Sequence, residues 1–384
     1  MNYLMVDISG KVLNYDIALC EAISKVLPCE ESLVFLAPKI DSKKIECSCH
    51  KLISLIPPFM QKSENKIKRC VKALEAICNY IYLIIWMCVK RVDVLHLQWL
   101  PFLEISSIEK KFLKILHTVS PKTKFYLTVH NLYPHNWNEK RKISYRKRFC
   151  EVEHFFDNFI VHLQNSKKEL CSEFCIAENR VYVVPHGVFV PKNLKIIPHE
   201  RGEKLKLIMY GNQSFYKGTD ILLDALALLP IELRNKVYTL IVGKTSSEYL
   251  ALLKQKIDDL NVDFIPEFVP EDDLNKYIME SDVIVLPYRE ISQSGALLLA
   301  LNFEKSIIVS DLPSFRETLL GVDENVFFEK GNAKSLAGLI RKYIEERVNL
   351  LKIQKEIKKL AEIYEWKKIA RIYLALIYND KMDV

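Results

Sequence analysis

The chain has 384 residues, 49% hydrophobic and 27% charged, a globular composition long enough for two domains of ordinary size rather than one. Its net charge of +7 is unevenly placed: residues 51–150 hold 19 Lys and Arg against 6 Asp and Glu, while residues 201–384 hold 26 against 28. Such an excess suits anionic lipid or an anionic substrate, and the lack of any nucleic-acid-binding module or of aromatic residues interleaved with the basic ones speaks against nucleic acid.

In chain order, Tyr3–Ile8 reads as a strand, Asp16–Leu27 as a helix and Leu33–Ala37 as a second strand. Residues 41–63 read as irregular. Lys66–Arg91 is expected as a long helix. Its longest apolar run, Ala76–Val89, is interrupted by Asn79 and is expected to be too short to cross a bilayer. Strands then alternate with helices: Val92–Leu97, Ile108–His117, Lys124–Val129, Lys140–Arg148, Asn158–His162, Ser166–Glu173 and Val181–Val184. Residues 188–204 carry a linker composition. The pattern restarts with Lys206–Tyr210, Thr219–Leu229, Lys236–Val242, Tyr249–Leu260, Val262–Pro266 and Glu271–Glu280. After Val283–Leu286 come Ser306–Val309, Pro313–Leu319 and Val326–Phe328, and from Ala333 the chain reads as helical. The alternation predicts an α/β protein of two doubly wound, Rossmann-like domains facing across a cleft. The expected boundaries are 1–195 and 196–365, with 366–384 a C-terminal helix able to return to the first domain.

Residues 281–300 hold the strongest local signal. A buried strand ends at Pro287, and Ser292-Gln293-Ser294-Gly295 leads into the helix former run Ala296–Leu301. A helix starting there aims unpaired N–H groups and the positive end of its dipole at one point, which suits a phosphate. An ordinary strand-to-helix connection has the same appearance. The chain has only ten glycines, and Gly10, Gly211, Gly218, Gly243 and Gly295 all fall near strand-to-helix turns. They mark the expected ligand cleft. All ten cysteines lie between Cys20 and Cys175, with no C-x-x-C pair and no histidine at finger spacing, so reduced thiols without zinc are expected. No basic start precedes an apolar segment at the N-terminus, so no signal peptide is expected.

Five stretches in order, LTVHNLYPH at 127–135, VYVVPHGV at 181–188, YGNQSFYKGTDILLDAL at 210–226, FVPEDDLNKYIMESDVIVLPY with SQSGALLLAL, and SIIVSDLPSFRET, resemble retaining glycosyltransferases of family four, which have the GT-B fold. The resemblance implies an enzyme that moves a sugar from a nucleotide diphosphate donor to a saccharide hydroxyl with retention. It implies no metal and no cofactor beyond the donor itself. Lys217 and the backbone of Ser294, Gly295, Ala296 and Leu297 would meet the donor diphosphate, and Asn212 stands where the family has an arginine. His130 would lie near the transferred sugar. Gly10, Val269, Gln293 and Glu317 fall where the family contacts donor sugar or nucleotide. His135, His162 and His186 read as structural. The family's two glutamates are replaced by Ser292 and Ala300, and Arg289 is a candidate replacement cation. The acceptor is expected to be a saccharide, free or lipid-linked, used in a surface polysaccharide. The site is expected on the cytoplasmic side, with basic helices resting peripherally on anionic membrane. The alternatives are a nucleotide-sugar epimerase and a non-catalytic subunit that binds donor or partner.

Overall fold

The strand and helix patterns close into two parallel sheets, each in its own unit. The computed structural model describes residues 1–38, 40, 45, 47–54, 66–133, 137–188 and 202–382, the side chains of 66 and 380–382 excepted. One unit comprises Met1–His186 and Trp366–Val384, the other Gly187–Glu365. Most of the expected linker, 189–201, lies outside the described residues, as does His135.

The first sheet contains β1 (Asn2–Asp7), β2 (Ser32–Ala37), β3 (Cys49–Lys51), β4 (Val94–Trp99), β5 (Lys124–Thr128), β6 (Asn158–Val161) and β7 (Val181–Val183). They run parallel in the order β3-β2-β1-β4-β5-β6-β7. The second contains β8 (Leu205–Tyr210), β9 (Val237–Val242), β10 (Val262–Ile265), β11 (Val283–Leu286), β12 (Ser306–Ser310) and β13 (Phe327–Phe328), parallel in the order β10-β9-β8-β11-β12-β13. Strands covered on both faces must be apolar throughout, and β11 is buried at all four positions. Strand β3 corrects the expectation of irregular chain over 41–63. It is a short edge whose Cys-His-Lys sequence has no apolar alternation to read.

Helices α1 (Leu13–Ser24), α2 (Lys66–Val89), α3 (Glu109–Val119), α4 (Glu139–Cys150) and α5 (Gln164–Phe174) serve the first sheet. The second carries α6 (Thr219–Ala227), α7 (Ile231–Arg234), α8 (Ser247–Ile257), α9 (Glu271–Met279), α10 (Gly295–Leu301), α11 (Pro313–Thr318), α12 (Ala333–Ile344) and α13 (Leu350–Ile363). The last helix, α14 (Trp366–Met382), belongs to the first unit. It buries Ile369, Ala370, Tyr373, Leu374 and Ile377 there, and the Tyr15 and Tyr373 hydroxyls of α1 and α14 meet at 2.5 Å.

Helix α2 corrects a second expectation. Its Ile67–Val89 segment is long and apolar enough to cross a membrane by length and composition, because the more polar first turns extend the helix well before Ala76. The same helix is docked on the first unit. Ala76, Tyr80, Leu83 and Met87 are buried, and the Asn79 carboxamide donates to Ile8 O at 3.0 Å and accepts from Ile53 N at 2.9 Å.

Candidate active site

Doubly wound sheets bind ligands at the C-terminal ends of strands where the strand order reverses. In the second unit that point lies between β8 and β11. The loop after β8 turns through Gly218, which is left-handed (φ 72°), and a Cβ there would stand 1.9 Å from Pro287 O. Only glycine lets this loop close onto the end of β11. Closure places Lys217 Nζ over Gly211, where an added Cβ would lie 2.8 Å from it, and 5.2 Å from the centre of the Tyr288 ring. Burial pulls the Lys217 pKa below the ordinary lysine value, and no carboxylate pairs with it among the described residues. A partly desolvated cation without a counter-charge is stabilised by any anion that reaches it.

Helix α10 begins on the neighbouring strand end. Ser294 caps it, its hydroxyl accepting from Leu297 N at 3.1 Å, so the Leu297 amide is already engaged. The Gly295 and Ala296 amides head the helix without an acceptor four residues back. The Tyr210 hydroxyl donates to Ala296 O at 2.7 Å and ties this first turn to the end of β8. Gln293 Oε1 is buried with no hydrogen-bond partner among the described residues.

Arg289, the candidate replacement cation, is engaged elsewhere. It forms a two-pronged pair with Asp220 at 2.7 and 2.8 Å, stacks on Phe215 at 4.0 Å and donates to Phe215 O at 2.7 Å. It therefore braces the loop that carries Lys217. Gln213, for which no sequence signal exists, does similar work. Buried, it donates to Gly211 O at 2.6 Å and accepts from the Thr219 hydroxyl at 2.7 Å. Asn212 is exposed on the same loop. Val269 is half-buried between β10 and α9, and Glu317 is half-buried on α11, close enough to Tyr364 to help raise that phenol's pKa, which burial raises most. Ser292 is half-buried, whereas Ala300 is fully buried in the core of the unit. Where the resemblance would place the second of the family's glutamates, this chain has a core methyl group.

In the first unit the C-terminal ends of β5, β6 and β7 assemble a histidine cluster. His130 follows β5, His162 follows β6 and His186 follows β7. Tyr15 packs edge-on against His130 at 4.8 Å and Trp366 lies 5.5 Å from His186. His162 Nδ1 stands 3.0 Å from the Val184 carbonyl, which can only accept, so Nδ1 carries the proton. Burial pulls the His162 pKa down to about 4 and leaves the ring neutral near pH 7. Its Nε2 is then a bare acceptor, and His130 Nδ1, 3.1 Å away, donates to it. His130 is held neutral as well, by burial first and by the neighbouring imidazoles second. Its Nε2 is consequently unprotonated. That nitrogen lies 3.3 Å from Gln98 Oε1, and this proton assignment turns the Gln98 amide over so that its N–H group faces His130. His162, read from sequence as structural, thus sets which nitrogen of His130 can accept. Gly10 is left-handed (φ 64°), and its amide donates to the buried Asp7 carboxylate at 2.9 Å. Among the described residues no group of three or more His, Cys, Asp or Glu is arranged to hold a metal ion.

Residues 192–362 match the family model described as glycosyl transferases, group 1. The match spans the strand ends that carry Lys217 and Gly295. The whole chain is similar in fold to solved glycosyltransferase structures, with two parallel-sheet Rossmann-like domains of GT-B type. The glycosyltransferase from Rickettsia africae ESF-5 is 18% identical, with a TM-score of 0.69 over 98% of this chain and 97% of that one. HepE from Anabaena, solved in complex with UDP, is 15% identical, with a TM-score of 0.68 over 99% and 100%. The sucrose-phosphate synthase from Thermosynechococcus elongatus is 14% identical, with a TM-score of 0.70 over the full length of both chains. A search of curated protein sequences finds no match.

Proposed function

We propose that this protein transfers a sugar from a nucleoside diphosphate to a hydroxyl of a saccharide acceptor, with retention of anomeric configuration and without a metal ion. The observation that carries this reading is Lys217: a partly desolvated ammonium, unpaired by any carboxylate among the described residues, at the switch point of a region matching the group 1 glycosyl transferase family. Departure of a nucleoside diphosphate builds negative charge on the leaving phosphate and positive charge on the sugar. Lys217 and the Gly295 and Ala296 amides neutralise the leaving group without having to reorganise. Gln293 Oε1, Val269 and Glu317 are assigned to the sugar or nucleotide, and the Gly10 loop to the donor sugar. The unprotonated His130 Nε2 accepts a hydrogen bond from a sugar hydroxyl. A lipid-linked acceptor for a surface polysaccharide is the favoured acceptor class.

The buried Ala300 and the serine at 292 favour one other reading, a non-catalytic subunit that binds the donor. A thermal-shift screen of nucleoside diphosphates and their sugars, beginning with UDP, identifies the donor, because a ligand of the folded state raises its stability. With that donor, nucleoside diphosphate release that depends on added acceptor separates a transferase from both a binding subunit and an epimerase. Lys217→Ala should lower turnover roughly 100-fold, and unchanged turnover would discard the assignment.

A further inference from the structure

We infer that the aliphatic side of α2 docks in the plane of an anionic lipid surface, an interaction that does not depend on the transferase reading. Ile67, Leu74, Ile81, Ile85 and Val89 are 63%, 53%, 49%, 58% and 74% exposed. Their spacing of seven, seven, four and four residues sets them on one line along the helix. At about 1.5 Å per residue the line is roughly 33 Å long. From Leu74 to Val89 no exposed residue of α2 is charged, and the helix's one acidic residue, Glu75, is buried. An apolar strip of this size on a soluble surface marks something that covers it.

Three occupants fit such a strip, and the charges separate them. A bilayer-spanning helix is excluded, since the opposite side of α2 is fastened to the sheet through Tyr80, Leu83 and the Asn79 hydrogen bonds. A second copy is disfavoured because both ends of the strip are basic. Lys68, Arg69 and Lys72 stand at one end, Lys90 and Arg91 at the other, where Arg91 pairs with Asp93 at 3.1 Å. Parallel and antiparallel pairing of two copies both set cation against cation. An anionic headgroup layer meets both ends favourably, at about 1 kcal/mol per basic residue near the surface, while the aliphatic line enters the acyl boundary. Helix α3, whose Phe112 stacks on Tyr80 of α2 at 4.4 Å, adds exposed Lys110, Lys111 and Lys114.

The test uses the full chain and extruded vesicles of phosphatidylcholine alone or mixed with phosphatidylglycerol. The protein should sediment with the mixed vesicles at low salt, less at high salt, and little with phosphatidylcholine alone. The Ile81→Asp/Ile85→Asp double variant, altered only at exposed positions, should lose roughly tenfold or more of its partitioning. Tryptophan emission of Leu74→Trp should shift to the blue when mixed vesicles are added. Failure of the parent protein to sediment, or sedimentation of the double variant like the parent, would overturn the inference. So would a parent dimer in light scattering that the double variant makes monomeric. Should the double variant not fold, an unshifted Leu74→Trp emission is the overturning result.

Discussion

His130 behaves as its neighbour dictates. With Val184 O fixing the His162 proton and His162 Nε2 fixing that of His130, the second ring is pre-set as an acceptor at Nε2. His162→Phe removes this constraint without adding charge. The expected outcome is a turnover lower by roughly tenfold, and a nitrogen NMR signal for His130 that moves from an unprotonated Nε2 toward a mixture of tautomers. A purely structural His162 would leave that signal in place. The pH sign follows from burial. His162 titrates near 6.5 unfolded and about 4 folded, so its contribution to stability is fully present above 6.5 and is lost as pH falls toward 4. The variant lacks this loss. Its melting temperature relative to the parent should therefore rise between pH 7 and pH 5, by an amount equivalent to about 2 kcal/mol. The family resemblance marked His130 and Lys217. It did not mark Gln213, Asp220 or His162, whose roles rest on partners such as His130, 32 residues from His162, and Arg289, 69 from Asp220.

At the scale of elements, α2 and α3 are joined by Glu109. Its carboxyl accepts from the Tyr80 hydroxyl and from Phe102 N at 2.8 Å, and burial lifts its pKa to about 8 despite both bonds. A carboxyl raised from its unfolded value stabilises fully below about 4.5 and loses that contribution as pH rises through 8. Glu109→Gln cannot ionise, so its melting temperature relative to the parent should climb between pH 5 and pH 8. A flat difference would mean that Glu109 stays charged. The elements themselves were legible where one face or both is buried along several residues, as in β11 with its four apolar positions, or where a cap signals a start, as Ser294 does for α10. Strand β3 was not, since an edge strand of three residues takes its conformation from pairing with β2 rather than from its own pattern.

For the whole molecule, the first unit is completed by the last stretch of chain. Helix α14 supplies four large apolar side chains to that core, Ile369, Tyr373, Leu374 and Ile377. At roughly 1.5–3 kcal/mol each, their loss rivals the entire stability of a typical domain. Truncation after Glu365 should therefore abolish the cooperative melting of the first unit while the second still unfolds as one transition, as read by calorimetry and limited proteolysis. Retention of both transitions would refute it. Apolar periodicity, glycine at tight turns and one helix-start signal determined, from the sequence alone, that this is a two-sheet α/β chain with a helix starting at Gly295. Those features act over a few neighbouring residues. Tertiary structure decided that Arg289 binds Asp220, that Ala300 faces the core, that His130 accepts at Nε2 and that one side of α2 stays uncovered. Each of these depends on atoms that only folding brings within bonding distance, where burial and a single fixed partner select one protonation state or one pairing.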